Sequence, residues 1–410
     1  MVIGDEKAYV RDVIERILTE APLRQPCSEG EKRAHAIMNE EFDRLGLKTR
    51  THEFRFNDNL YANLLLHFGM GNVGTLLSPA APLLAFALHL TAATSYWADS
   101  TRRAYMLRRI FPWKPSRNVL GVLPAEGGKP ALRVVIMAHV DAAFTGWMFK
   151  PSLLTPFTAR MPQRLKFLER GLTVATYGNF LLAGADLLRV FFGPLVAPLR
   201  PLEYLVNLPG LLTTLLNLQL LLKNQIVPGA NDDLSGVAAL PVLAQRLAMT
   251  KRADVEIVVA ATGCEEASLG GADSLVRDME GEWSRDNTVF VVLDAITNGQ
   301  LHYLGGEGEI VRTPLQRWLV ETVAEVAASE PRFRGVGPFS VPIGGSDAAA
   351  CLAHGWDAVC LCCVDPTLGS PRHYHLPSDT LENLEMDQLM DSIDFAEKLV
   401  QAIVRRRLGP

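Results

Sequence analysis

The chain lacks an excess of basic charge and lacks paired cysteines, and each shortage excludes something. Lys and Arg number 40 against 45 Asp and Glu, for a net charge of −5. A phosphate backbone demands a basic surplus, and the one basic run, Arg405-Arg406-Arg407, is too short to supply it. Nucleic acid is therefore not an expected partner. Six cysteines in 410 residues make no disulfide framework, and the spacing of Cys360, Cys362 and Cys363 suits neither a bridge nor a zinc knot. Cys264 has no histidine in a context that would make it a nucleophile. The opening Met-Val-Ile-Gly-Asp-Glu-Lys lacks the basic start and apolar core of a secretory leader, so a reducing, cytoplasmic setting is expected.

What the chain does have is a set of short acidic or histidine-bearing segments, each in the same kind of place. Leu132 to Ala138, Val255 to Thr262 and Val289 to Leu293 are β-branched runs that read as buried strands. They deliver His139 with Asp141, Glu265 with Glu266, and Asp294 at their C-terminal ends, where open α/β sheets hold ligands. Pro228-Gly-Ala-Asn-Asp232-Asp233-Leu-Ser-Gly236 precedes an apolar-periodic helix over Leu234 to Met249, which sets Asp232 on a loop near a helix N-terminus. His375 stands in Tyr-His-Leu-Pro-Ser-Asp. Helices are also expected over Lys7 to Glu20, over Glu29 to Leu45 with Gly46 as its C-cap signal, and over Met386 to Arg405, whose basic end suits the negative helix pole. Length alone allows two domains, but candidate ligands spread from residue 139 to residue 375 imply that most of the chain closes around one sheet.

The residue types explain the chemistry. Neutral imidazoles and carboxylates suit zinc, and two ions about 3.5–4 Å apart can clamp both oxygens of a displacement. Asp232 is assigned as the bridging carboxylate, His139 and Asp294 as the other ligands of one Zn2+, and Glu266 and His375 as those of the second. Glu265 is left for proton transfer, as general base toward the attacking water and then as acid toward the leaving amine. Asp141 and Asp379 are placed to accept the second ring N–H of His139 and His375. Asp347, after Gly344-Gly-Ser, suits a helix cap and a substrate pocket equally. His139, His375 or Asp294 alone would read as structural; the joint order of the five segments carries the assignment. The remaining histidines have no such context, and His35 and His89 read as packing or surface residues.

With those motifs in hand, the chain resembles the zinc aminopeptidases of the M28 metallopeptidase family. The matching stretches are Ala-His139-Val-Asp141, Gly229 to Gly236, Cys264-Glu265-Glu266 with Leu269-Gly-Gly271, Val292-Leu-Asp294, Gly344 to Asp347, and Tyr374-His375 through Asn383. The resemblance implies an α/β fold with a mixed, mostly parallel central sheet flanked by helices, of the zinc-aminopeptidase or phosphorylase-hydrolase kind. It also implies two Zn2+ per chain, a cis peptide at Asp232–Asp233, help from Tyr374 in stabilising a tetrahedral intermediate, and a peptide substrate cut at its N-terminal residue. Two alternatives stand beside it. One is a glutaminyl-cyclase-like enzyme with a single zinc; the other is an inactive peptidase-like scaffold for partners or membrane, which predicts a missing ligand where none is missing.

Two apolar insertions set this chain apart from a plain peptidase. The division expected is a catalytic unit of residues 1–58, 115–150 and 223–410, an apolar helical insertion over 59–114, and a second over 151–222 that leaves the sheet after His139 and returns before Asp232. Leu76 to Ala98 and Tyr204 to Leu222 contain no Asp, Glu, Lys or Arg, and the first is long enough to cross a bilayer. Tyr61 to Leu77 with Pro79 to Ala98, and Leu172 to Pro198 with Tyr204 to Leu222, read as two hairpins flanked by arginines on the catalytic side, which would be cytoplasmic. Asp186, Arg189, Asn207 and Asn217 argue against spanning, since polar groups at depth are costly unless paired. Membrane hairpins, a shallow interfacial attachment, and a lid or homo-oligomer contact all remain open. In each case the second insertion has its base at the rim of the metal site and favours small, hydrophobic peptides.

Overall fold

The computed structural model describes residues 2–341 and 344–409. Its strands are β1 (Lys48–Phe56), β2 (Lys114–Leu123), β3 (Leu132–His139), β4 (Phe144–Thr145), β5 (Gln225–Ile226), β6 (Val255–Thr262), β7 (Thr288–Leu293), β8 (Gln300–Leu304), β9 (Gly306–Glu307), β10 (Thr313–Pro314), β11 (Pro338–Phe339) and β12 (Asp357–Val364). Eight of them form one sheet in the order β1-β2-β6-β3-β7-β12-β8-β11. The four central strands β6, β3, β7 and β12 run parallel, whereas β1, β2 and β8 join antiparallel. The sheet is thus mixed, with its parallel part in the middle. All eight residues of β3 and all six of β7 are buried, which is why Val134 to Ala138 and Val289 to Leu293 read as apolar runs rather than alternating ones.

The helices are α1 (Glu6–Glu20), α2 (Glu29–Arg44), α3 (Leu60–Leu77), α4 (Pro82–Ser100), α5 (Pro151–Thr158), α6 (Gly171–Phe192), α7 (Arg200–Lys223), α8 (Leu234–Thr250), α9 (Gly270–Asp278), α10 (Arg317–Ser329), α11 (Asp347–Ala353) and α12 (Met386–Leu408). Local signals explain their limits. Asp5, Ser28 and Asn59 accept hydrogen bonds from the first-turn N–H groups of α1, α2 and α3, relieving orphan donors at each start. Gly46 takes φ +75° just past α2, the left-handed turn expected there. Two groups of helices flank the sheet: α1, α8 and α12 pack together with β3 and β6, while α9 and α11 pack together against β1, β2, β7 and β12.

The remaining long helices, α3, α4, α6 and α7, form a bundle of their own. They meet as a closed ring of neighbours, α3 on α4, α4 on α6, α6 on α7 and α7 on α3, so the two hairpins expected from sequence pack against each other. The second hairpin leaves and rejoins the sheet unit through the small ribbon of β4 and β5, which pair antiparallel. Tyr61, Phe68, Tyr96, Phe144, Leu220 and Ile310 make a separate apolar cluster where the bundle meets the sheet unit. Among the described residues one helical stretch, Leu195–Lys223, is long and apolar enough to cross a membrane, and only 22% of its apolar 18-residue window is buried.

Candidate metal centre

The C-terminal edges of the four parallel strands deliver the site. His139 is the last residue of β3, Glu265 and Glu266 follow β6, Asp294 follows β7, and His375 lies beyond β12. Asp232 comes from the loop before α8, joined to Asp233 by a cis peptide bond, as the resemblance implies. Register does the first part of the positioning, since His139 stands opposite Thr262 on β6 and Leu361 of β12 opposite Leu293 of β7. Five segments from distant parts of the chain therefore open at one edge.

Asp232 sits at the centre of the donors. One of its oxygens is 3.2 Å from His139 Nε2 and the other 3.2 Å from His375 Nε2. Glu266 Oε1 lies 3.3 Å from His375 Nε2, and Glu265 Oε2 lies 3.9 Å from His139 Nε2. Three groups have donor atoms within 4.8 Å of one another: His139 with Asp232 and Asp294, Asp232 with Glu266 and His375, and His139 with Glu265 and Glu266. Asp232 belongs to the first two, with Oδ1 beside His139 and Oδ2 beside His375. Buried Asp232 Oδ2 and Glu266 Oε1 receive no hydrogen bond. Lone pairs left bare in a desolvated pocket are costly, and a divalent cation is the group that such a donor set fits.

The electrostatics agree with that fit. Burial opposes ionisation of Asp232, but the imidazoles of His139 and His375, each 3.2 Å from one of its oxygens, outweigh it and hold the carboxyl below its ordinary range. Burial, with the Asp232 charge, pushes Asp294 up to about 7. Glu265 is raised well above a free glutamate by burial and by the neighbouring carboxylates of Glu266, Asp294 and Asp347, against the pull of His139. Negative charge crowds the pocket, and among the carboxyls so raised Glu265 is one that stands beside a candidate ligand without being assigned as one, as a general acid–base group needs to.

The supporting residues are less simply placed than their sequence positions suggest. His139 Nδ1 lies 3.1 Å from the Asp141 backbone carbonyl and 3.6 Å from its carboxylate. The Asp141 carboxylate instead accepts the backbone N–H groups of Glu265 and Glu266, at 3.1 and 2.9 Å. It orients the glutamate turn, while its own main chain orients the imidazole. Asp379 does not touch the His375 ring, whose Nδ1 has no partner; its carboxylate accepts the N–H groups of Asn231 and Asp232 at 2.8 and 3.1 Å and so fixes the bridging loop. Asp233 caps α8 through Gly236 N–H and also accepts from Ala295 and His139 N–H, tying three ligand-bearing segments together. The cap of α11 is Ser346. Asp347 accepts the Thr262 hydroxyl at 2.6 Å with one oxygen and leaves the other buried and unpaired. Tyr374 stacks on His375 with ring centres 4.0 Å apart, and Phe149 packs 4.3 Å from the same imidazole.

Two participants escape the sequence reading. Arg24, fully buried, donates to the carbonyls of Val140, Pro228 and Ala21 at 2.9, 2.6 and 3.2 Å, clamping the segment after His139 to the one before Asp232. Its local signal is only a loop position between Pro22 and Pro26. Glu31 accepts from Cys264 N–H at 2.8 Å and from the Ser116 hydroxyl at 2.7 Å, and burial beside Asp141 pushes it up to about 8. As an ordinary first-turn glutamate of α2 it gives no sign of reaching the metal-site turn.

Comparison with known proteins follows the same outline. A family model described as Peptidase family M28 matches residues 220–400, which takes in every candidate ligand except His139. No curated protein sequence matches the chain. A zinc aminopeptidase from Bacillus subtilis superposes with a TM-score of 0.56 at 13% identity, covering 98% of this chain and 95% of that one. An aminopeptidase from Aneurinibacillus sp. strain AM-1 gives 0.55 at 14% identity over 97% and 93%, and an Acidobacteriales bacterium glutaminyl cyclase gives 0.55 at 13% identity over 99% and 95%. The fold is an M28-family zinc-peptidase-like one, with metal-binding clusters consistent with a zinc-dependent hydrolase.

Proposed function

We propose that the chain is a co-catalytic dinuclear zinc aminopeptidase that removes N-terminal residues from small peptides. The observation that carries this reading is the sharing of Asp232 between two donor groups, one with His139 and Asp294 and one with Glu266 and His375. When bound, zinc would supply a Lewis acid for the scissile carbonyl and acidify the attacking water. Glu265, a carboxylate 3.9 Å from His139, takes the proton of that water and returns it to the departing amine. Asp141 keeps Glu265 and Glu266 at a constant offset by holding both of their N–H groups. Tyr374 is available to steady the developing oxyanion, and Phe149 beside His375 narrows the entrance toward small, apolar side chains.

Activity toward aminoacyl amides and their N-acetylated counterparts, measured alongside zinc per chain, tests the reading. Cleavage of the free-amine series alone, with two zinc ions per chain, is expected. Equal cleavage of the blocked series would reject the free-amine requirement. One zinc with ammonia released from an N-terminal glutamine peptide would favour the cyclase reading, which the likeness to a glutaminyl cyclase keeps in view. Absence of both zinc and turnover would leave a scaffold, against which stands the full set of donors at one edge.

A further inference from the structure

The bundle of α3, α4, α6 and α7 is inside out for a water-soluble one. Its polar side chains point inward and bond one another: His67 to Ser95 at 2.9 Å, Asn72 to Thr214 at 2.7 Å, and His89 to Asp186 at 2.6 Å. The four charged side chains near its far end are likewise paired, with Asp186 accepting from Ser78, Arg189 donating to Ser78 and to Glu203, and Arg200 to Glu203. The outward positions are mainly leucine, valine and phenylalanine, with Thr91, Thr94, Tyr177 and Tyr204 among them. Leu76 on α3 is 70% exposed, Leu83 on α4 64%, Phe191 on α6 73% and Leu205 on α7 64%. This reversal explains why only one of the four helices passes as a span on composition: the others carry polar residues that face their neighbours rather than the surroundings.

We infer that this bundle is embedded in a lipid bilayer, with both hairpins crossing it and the sheet unit held at one surface. Three observations choose the bilayer over a second copy of the chain. The exposed apolar surface lies on all four members of a closed ring, whereas a two-fold contact would cover one side. On α7 the exposed leucines run from Leu202 to Leu222, about 30 Å at roughly 1.5 Å per residue, the thickness of a hydrocarbon core. At the sheet-side end, between β4 and α6, a collar exposes Trp147, Phe157 and Phe167 together with Arg160, Arg164 and Lys166. Aromatic and basic residues together suit the headgroup layer. The opposite tips, residues 78–81 and 193–199, carry no charge, and the flanking Arg189 and Arg200 are both paired with Glu203, so the excess of unpaired basic residues at the collar puts the sheet unit on the cytoplasmic face. The inward polar pairs answer the cost that charges at depth would otherwise carry.

This inference does not rest on the hydrolytic reading and is tested without activity. Full-length chain expressed in cells is expected to stay in the membrane pellet through an alkaline carbonate wash and to become monodisperse only in detergent. In vesicles of phosphatidylcholine with phosphatidylglycerol, Leu212→Trp, at mid-stripe on α7, should add emission quenched most by lipids brominated deep in the acyl chain, while native Trp147 responds to shallow bromine. Protease added to inverted cytoplasmic-membrane vesicles should cut the sheet unit, and in right-side-out vesicles it should leave it intact. A chain that is monodisperse without detergent, as monomer or dimer, would overturn the proposal, as would Leu212→Trp emission indifferent to deep bromine. Protection in inverted vesicles would overturn the orientation.

Discussion

The sheet unit and the helical bundle bury opposite things. In the sheet unit the inside is largely apolar, β3 and β7 are buried throughout, and carboxylates and imidazoles gather densely at the strand ends, where Asp232 and its neighbours crowd together. In the bundle the inside carries His67, His89, Asp186 and Glu203 and the outside is leucine. Both regions enclose paired polar groups, but to different effect. At the strand ends carboxylate oxygens are left without donors, which is the condition for taking up a cation; in the bundle Asp186 and Glu203 are each bonded by neighbours, which is the condition for keeping water and ions out. Carboxylate oxygens left without donors mark the site, whereas the bundle pairs its charged groups and leaves bare neutral amide oxygens such as those of Asn63, Asn179 and Asn217.

The largest effect expected lies on the unsatisfied side of that contrast. Glu265→Gln keeps size and most contacts but cannot carry the proton, so turnover should fall by about 10²–10⁴-fold with zinc content unchanged and substrate-like inhibitors still bound. Glu266→Ala should instead lose zinc, because it removes a buried donor oxygen beside His375. Metal analysis and kinetics on the two variants together decide the matter. Loss of zinc from Glu265→Gln with retention by Glu266→Ala would exchange the two roles. Full rate with full zinc in Glu265→Gln would end the mechanism.

A smaller effect should come from the clamp between the two ligand loops. Arg24→Met leaves the carbonyls of Val140 and Pro228 buried without their charged donor. Hydrogen bonds to charged groups are worth about 1.5–3 kcal/mol each, so a loss of about 3 kcal/mol in unfolding free energy is expected, with weaker zinc retention. Burial lowers the Arg24 guanidinium to about 10, against the opposing charges of Asp141 and Asp379. Denaturant unfolding with and without added zinc measures both. Unchanged stability would mean that the loops are held by the Asp233 and Asp379 contacts alone.

What could be read from sequence divides along the same line. The strand runs, the five donor segments and α8 were legible because each is a local pattern: a β-branched stretch, a short motif after it, an apolar period. The helices expected over Lys7 to Glu20 and Met386 to Arg405 correspond to α1 and α12 within a turn. Arg24, Glu31 and the true targets of Asp141 and Asp379 were not legible, because their bonds join segments up to 233 positions apart and no local pattern names the partner. Asp186 shows the limit most clearly. In sequence it argues against a span, as an uncompensated charge in an apolar run. Folded, it meets Ser78 and His89, 108 and 97 positions away, and the objection disappears.

The smallest effects should separate inward from outward positions in the bundle. Asp186→Asn preserves shape but weakens its bonds to Ser78 and His89, and should lower the bundle's stability in detergent by about 1–3 kcal/mol. Zinc content and turnover should be untouched, since Asp186 has no contact with the donor cluster. Leu205→Ser, at an outward position 64% exposed, breaks no packing and should stay within about 0.5 kcal/mol in detergent, while reducing the amount of chain recovered with vesicles. Thermal unfolding in detergent and vesicle flotation of the two variants give a two-by-two comparison. The expected pattern has Asp186→Asn weaker in the first and normal in the second, and Leu205→Ser the reverse. If Leu205→Ser were the more damaging to folding, the leucine surface would be packed against protein, and the inside and outside of the bundle would have to be exchanged.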